Sequence, residues 1–273
     1  MKKLLSAAAV AMALSSSAYA SLNVGGVIWN PDSLDDFTSS DTMYESLATF
    51  TGATLVSGNI YNFTGANTLS GFARITAFNG EIQSSFCPSC ELTYQFGGYQ
   101  LNQWKDIDFS GTVNAGDALS FSGGFAKFYV DGSPDFSSAS YASAGDGTLW
   151  LDLVGFSTLN SNGLTGTLFS TITSGSLGTG TEAGNGFGYL NVVTGTGALA
   201  EANFDTNGQP NGTDISFGSS FLPRPCFSLG TCSNFPLTGS NDLLGNSIPE
   251  PGSLALLGLG LAGLGAVARK RKA

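Results

Sequence analysis

Glu91-Leu92-Thr93-Tyr94-Gln95-Phe96 alternates polar and apolar side chains and puts Leu92, Tyr94 and Phe96 on one face. A period of two marks a half-buried strand. Outward from it, Phe72, Arg74, Thr76 and Phe78 oppose Ala73, Ile75 and Ala77, and residues 127–130, 149–156, 164–172 and 186–193 read as further strands. Asn79-Gly80, Asp131-Gly132, Asp146-Gly147, Asn162-Gly163 and Asn207-Gly208 punctuate these runs with residues that accept a positive φ. Many short strands with turn signals about every ten residues predict an all-β domain, a β-sandwich or jelly roll. The phenylalanines are then expected between two sheets. One helix is expected, over residues 40–49, with Asp41, Thr42 and Glu45 near its start.

The 273 residues are 42% hydrophobic but only 11% charged, where soluble domains carry about 25% charged residues. The chain does not read as an ordinary cytosolic enzyme. It has no histidine, which removes Ser-His-Asp and Cys-His nucleophile systems, histidine bases and His-containing zinc sites. Between residues 21 and 248 only Arg74, Lys105, Lys127 and Arg224 face 19 acidic residues, a formal charge of −15. Such a surface repels phosphate backbones, so nucleic acid is excluded as a partner. Cations, neutral sugars and protein surfaces stay open.

Both ends read as address labels. Residues 1–20, MKKLLSAAAVAMALSSSAYA, combine Lys2 and Lys3, an apolar run over residues 4–14 and the small-residue site Ala18-Tyr19-Ala20. That layout is a secretory signal peptide. It implies Sec export, signal peptidase cleavage after Ala20 and a mature chain from Ser21. At the other end, residues 253–268 are uncharged and mostly Leu, Gly and Ala, followed by Arg269, Lys270, Arg271 and Lys272. With Pro251 and Gly252 the run reaches the short limit of a membrane-spanning helix, about 17 residues. The basic cluster should stay cytoplasmic. Pro249 and Pro251 keep Glu250 extended, as a processing protease needs. A formal G-x-G-x-x-G at residues 258–263 lies inside this apolar run, without the strand and βαβ context a dinucleotide site requires.

Ile248-Pro249-Glu250-Pro251, the Leu/Gly-rich helix and the basic cluster together resemble the PEP-CTERM sorting signal of Gram-negative bacteria. The resemblance covers about the last 26 residues. It implies recognition by an exosortase near Pro249, Glu250 and Pro251, removal of the helix, and a setting of exopolysaccharide, biofilm or flocs. The expected organisation is a signal peptide over 1–20, one β-rich extracellular domain over 21–247 and the sorting signal over 248–273.

Four cysteines fall in two local pairs, Cys87-x-x-Cys90 and Cys226-x5-Cys232. An exported chain lives where disulfides persist, and three connectivities exist. The two short-loop bridges are preferred. A redox pair would open a helix in a βαβ unit, whereas Cys90 precedes the strand at Leu92; a four-thiolate zinc site would need a different second spacing. Asp131, Asp135 and Asp146 lie in a Gly/Ser-rich stretch that reads either as turn-capping aspartates or as a calcium loop. Asp106 and Asp108 flank Ile107 and would share a strand face, either as plain surface or as the paired carboxylates of a glycoside hydrolase. Trp29, Tyr99, Trp104, Tyr129 and Trp150 would stack on sugar rings if exposed. The expected function is a non-enzymatic matrix or surface protein that binds exopolysaccharide or neighbouring cells, with no cofactor beyond calcium. The competing expectation is a secreted carbohydrate-active enzyme.

Overall fold

The computed structural model describes residues 21–31, 39–229 and 234–248. Residues 1–20, and all of the sorting segment beyond Ile248, lie outside these residues. Among the described residues, β1 (Leu22–Val24) and β2 (Val27–Trp29) form a hairpin. Then follow β3 (Ser39–Glu45), β4 (Gly52–Ser57), β5 (Ile60–Thr64), β6 (Thr68–Phe78), β7 (Glu81–Ile82), β8 (Glu91–Lys105) and β9 (Ala118–Asp131). The second half adds β10 (Thr148–Gly155), β11 (Thr158–Leu159), β12 (Thr165–Gly166), β13 (Leu168–Ser174), β14 (Ala183–Val192), β15 (Ile215–Pro223) and β16 (Leu237–Gly245).

The all-β expectation holds, but the two-sheet arrangement does not. Strands run β9-β13-β14-β15-β16-β3-β6-β8 and back to β9, every pairing antiparallel, so eight strands close into a barrel. Closure depends on β9. It pairs with β8 from Asp131↔Glu91 to Ala118↔Lys105, and with β13 from Phe121↔Leu168 to Ala118↔Thr171. A sandwich would leave sheet edges at such a strand; full closure removes them. The β4–β5 hairpin extends the wall past one end through Ile60↔Lys105.

The helix expected at residues 40–49 is strand β3. Its alternation buries Asp41, Met43 and Glu45 while Thr42 is exposed, and it is hydrogen-bonded to β6 on one side and β16 on the other. Two ladders satisfy nearly every backbone group of the segment, which outweighs the weak local preference of an acidic, capping-like sequence for a helix start.

Many of the phenylalanines gather in three places. Phe96, Phe121, Phe217 and Phe221 line the lumen. Phe72, Phe136 and Phe235 pack outside it with Tyr44 and Tyr141, where the Arg224 guanidinium lies 4.7 Å from the Tyr44 ring centroid. Phe78, Phe86 and Phe204 join Trp29 and Trp150 at one pole. Inside the lumen, Phe217 and Phe221 lie across from Gly188 and Gly184 of β14. A Cβ on either glycine would come within 2.5 and 2.6 Å of those rings.

The Cys87–Cys90 bridge is formed, and both cysteines are buried after the short helix Gln83–Phe86. Closing so short a loop restricts the unfolded chain by about 2 kcal/mol. The double variant Cys87→Ala, Cys90→Ala is therefore expected to lose that amount in urea denaturation, with unchanged far-ultraviolet circular dichroism. Cys226 is disulfide-bonded as well, while Cys232 lies outside the described residues.

Candidate functional site: the barrel lumen

Inward side chains of the eight strands leave two connected interior spaces. The deeper one, about 40 Å³, is bounded by Met43, Tyr94, Phe96, Leu190, Asn241 and Leu243 among others. The second, also about 40 Å³, is bounded by Leu119, Phe121, Ser170, Leu177 and Glu182 among others. Glu45, Leu69, Leu168 and Ser219 line both. Beyond Leu177 a cleft of about 490 Å³ opens at the β4–β5 end, lined by Phe50, Tyr61 and Trp104 among others. Tyr61 and Trp104 stack there, ring centroids 4.6 Å apart. The opposite end is closed by Trp29, which meets Trp150 edge-on at 5.7 Å and stacks on Phe204 at 5.5 Å.

The walls are mainly apolar, with Glu45, Tyr94, Ser170, Glu182, Ser219 and Asn241 as their polar groups. Asp41 accepts from the Tyr94 hydroxyl and from the Asn241 N–H at 2.7 Å, while the Asn241 amide donates to the Tyr94 oxygen at 3.2 Å. Burial raises the Asp41 carboxyl to about 8 against those hydrogen bonds. Burial, with the nearby Asp41 charge, raises Glu45 to about 8 too. Burial, aided by the Asp41 charge and hydrogen bond, also pushes the Tyr94 hydroxyl well above its ordinary range. No donor among the described residues reaches the Glu45 carboxyl. Glu182 Oε1 accepts from the Gly178 N–H at 3.1 Å, but its buried Oε2 has no partner, and neither does Asn241 Oδ1. No Lys or Arg lines either space. Carboxyls removed from water without a counter-cation shift toward their neutral form.

The residues singled out in the sequence lie elsewhere. Asp131 and Asp135 do come together, within 4.8 Å, but with Glu91 rather than Asp146. Glu91 is the β8 residue in register with Asp131, and its Oε1 accepts from the Asp135 and Phe136 N–H groups at 2.9 Å each. Asp146 is exposed in the turn that enters β10, outside the cluster. The three clustered carboxylates are of the type that holds a calcium ion.

Asp106 and Asp108 do not share a strand face. β8 ends at Lys105, and both lie in the following loop with Asp117. Asp106 accepts from the Ser110 and Gly111 N–H groups at 3.1 and 2.8 Å, and Asp117 from those of Ile107 and Asn114 at 2.9 and 3.0 Å. These carboxylates fix the loop's own backbone. Trp29, Tyr99, Trp104 and Trp150 are buried, and only Tyr129 is half-exposed, so four of the five aromatics considered for sugar stacking are core residues.

Sequence reasoning missed Glu45, Glu182 and Asn241. Asp41-x-Met43-x-Glu45 carried a usable signal, because its period of two places both carboxyls on one face once the segment is read as a strand. Glu182 carried none.

The chain leaves the barrel at a defined point. After β16 ends at Gly245, Ser247 Oγ accepts from the Trp29 indole N–H at 3.0 Å, and the Ile248 N–H donates to the Asn203 carbonyl at 2.8 Å. The Trp150 indole N–H donates to the Val24 carbonyl at 2.9 Å. Residues near both ends of the described chain are thus tied to the same pole.

Residues 247–272 match the family model of the PEP-CTERM protein-sorting motif. No curated protein and no solved structure matches the chain. The motif marks an exported protein that carries a C-terminal sorting signal and is handled by an exosortase.

Proposed function

We propose that this exosortase substrate is a non-enzymatic component of the cell surface or extracellular matrix, which acts as a free-standing β-barrel in association with exopolysaccharide. One observation carries the reading. The motif begins at residue 247, where the barrel is already complete, and the anchored Ser247 and Ile248 directly precede Pro249-Glu250-Pro251. Cleavage there removes the tail and costs the barrel none of its strands. Signal peptide removal after Ala20 would likewise leave β1 intact, since it starts at Leu22. The outward positions on β15 and β16 include Ser216, Ser220, Ser240 and Asp242, beside the exposed Leu222 and Leu244. The paired carboxylates Asp106 and Asp108, the basis of a hydrolase reading, are engaged in holding their own loop.

The test is mass spectrometry of the protein in the membrane, surface and matrix fractions of the producing cells. The expected product starts at Ser21, ends near Pro249-Glu250-Pro251, fractionates with the matrix and is released when the exopolysaccharide is digested. A dominant membrane form that retains Arg269 to Lys272 would overturn the sorting half of the reading. A processed form indifferent to polymer digestion would overturn the matrix half.

A further inference from the structure

Buried oxygens in the lumen are left without hydrogen-bond partners. Glu45 lines both interior spaces, Glu182 the one nearer the mouth and Asn241 the deeper one. Glu182 and Asn241 are buried, each with an unpartnered oxygen, and the Glu45 carboxyl receives no hydrogen bond from a described residue. Buried acceptors left unpaired cost free energy, and well-formed cavities with a few convergent polar groups are the usual form of a small-molecule site. Eight strands enclose an interior of the size that either fills with side chains or holds one small ligand. Here filling is incomplete.

We infer that the barrel lumen is a binding site for a slender primary alkylammonium ligand, its –NH₃⁺ group held at Glu45 and its chain lying along Leu69, Leu119 and Leu168. An ammonium carries three N–H donors and no acceptor. Glu45 and Glu182, whose buried Oε2 has no partner, line the same space as Leu69, Leu119 and Leu168 and offer it carboxylate acceptors. A buried cation needs charge partners as well as hydrogen bonds, and the lumen offers carboxyls without a resident Lys or Arg. The narrow leucine-lined space suits an unbranched chain better than a sugar ring. Entry runs from the cleft at Tyr61 and Trp104 past Leu177, which lines both the cleft and the inner space. The inference does not depend on the sorting signal or on any matrix role.

Binding should also move a proton. The groups facing Glu45 are Asp41 on the same strand, Tyr94 on β8 and Glu182 before β14, all acidic or neutral. Glu45 is held largely protonated at neutral pH, and pairing with a cation favours its ionised form. Ligand uptake at about pH 7 then releases a proton, which calorimetry in buffers of different ionisation enthalpy reads directly.

The experiment titrates the purified full chain with hexylammonium, hexanol and hexanoate. Expected are saturable binding of hexylammonium with proton release, affinity for hexanol weaker by about tenfold or more, and no binding of hexanoate. Glu45→Gln is expected to weaken hexylammonium by about tenfold or more and leave hexanol nearly unchanged. Leu168→Phe, which narrows both spaces, is expected to weaken both ligands, and it decides the matter if the glutamine variant does not fold. Absence of hexylammonium binding at about 10 mM, the range of the weakest specific ligands, would overturn the inference. So would equal affinity for hexanol and hexylammonium.

Discussion

Raising the pH from about 5 to about 9 is expected to destabilise the barrel by several kcal/mol, and Glu45→Gln is expected to remove a large part of that loss. Both buried carboxyls, Asp41 and Glu45, have folded-state values near 8, above the ordinary 3.8 and 4.5 of an unfolded chain. Between those limits the folded state holds more protons than the unfolded one. Stability must therefore fall as pH rises. The contribution is fully present below about pH 4 and lost by the time the pH passes the folded value near 8. Each tenfold difference in proton affinity between the folded and unfolded chain is worth about 1.4 kcal/mol. Because the two carboxylates also repel one another once both are ionised, the combined loss exceeds the sum of what each would cause alone. Self-repulsion of an acidic chain acts in the same direction. Asp108 and Glu201 act in the opposite sense: hydrogen bonds from Ser110, and from Gly195 and Thr196, hold them below their ordinary values, and their contribution fades only as pH falls below that range. Urea denaturation of the wild type and Glu45→Gln across the pH series measures the effect. The glutamine resembles the neutral acid in shape and charge, so the variant should match the wild type near pH 5 and exceed it near pH 9. Stability that rises with pH in the wild type would show that these carboxyls are solvated and the lumen is wet.

That same pair of carboxyls shows where the sequence could and could not be read. Alternation identified β6, β8, β9 and β10 because each buries a distinct face, and the turn residues marked real reversals: Asn79 and Gly80 both take positive φ where β6 turns into β7. Closure was not legible. It rests on β9 meeting β13 and β16 meeting β3, pairings set by register between segments far apart in sequence, and nothing local to either strand encodes them. A sandwich and a barrel share the same period-two pattern and the same turns. Asp41 and Glu45 were misplaced for a related reason. Acidic residues at the head of a segment suggest a helix start, and only the neighbours β6 and β16 show that they point into an apolar interior. The calcium-type cluster failed at one member, because Glu91 reaches Asp131 across the β8–β9 ladder while Asp146, closer to Asp135 along the chain, turns out to solvent. The sorting signal was the opposite case. It is read by a processing enzyme as a linear segment, so its whole content lies in local order: proline, glutamate, proline, apolar run, basic end.

Replacing Trp150 by alanine is expected to cost about 3–5 kcal/mol, a large part of the total stability of a domain this size. Trp150 is fully buried on β10 and meets Trp29 at 5.7 Å, Phe78 at 6.2 Å and Phe204 at 5.6 Å. The surrounding rings belong to β2, β6 and the short helix Glu201–Phe204, elements anchored independently, so they cannot collapse together to fill the hole. The loss is compounded at Val24, whose carbonyl accepts the indole N–H. Trp150→Phe keeps most of the packing and loses only that hydrogen bond, so it should cost about 1 kcal/mol. The consequences reach the termini. Val24 is held by Trp150, and Ser247 by Trp29, which Trp150 supports. Trp150→Ala should therefore release residues 21–31 and 246–248 together, seen as faster proteolysis at both ends before the barrel core is cut. If the alanine variant lost under about 1 kcal/mol, the typical cost of a surface change, the pole would not be the closed end of the barrel. If only one terminus became sensitive, the shared anchoring would be wrong while the barrel stood. Release of both would show that one aromatic cluster anchors the two ends of the described chain.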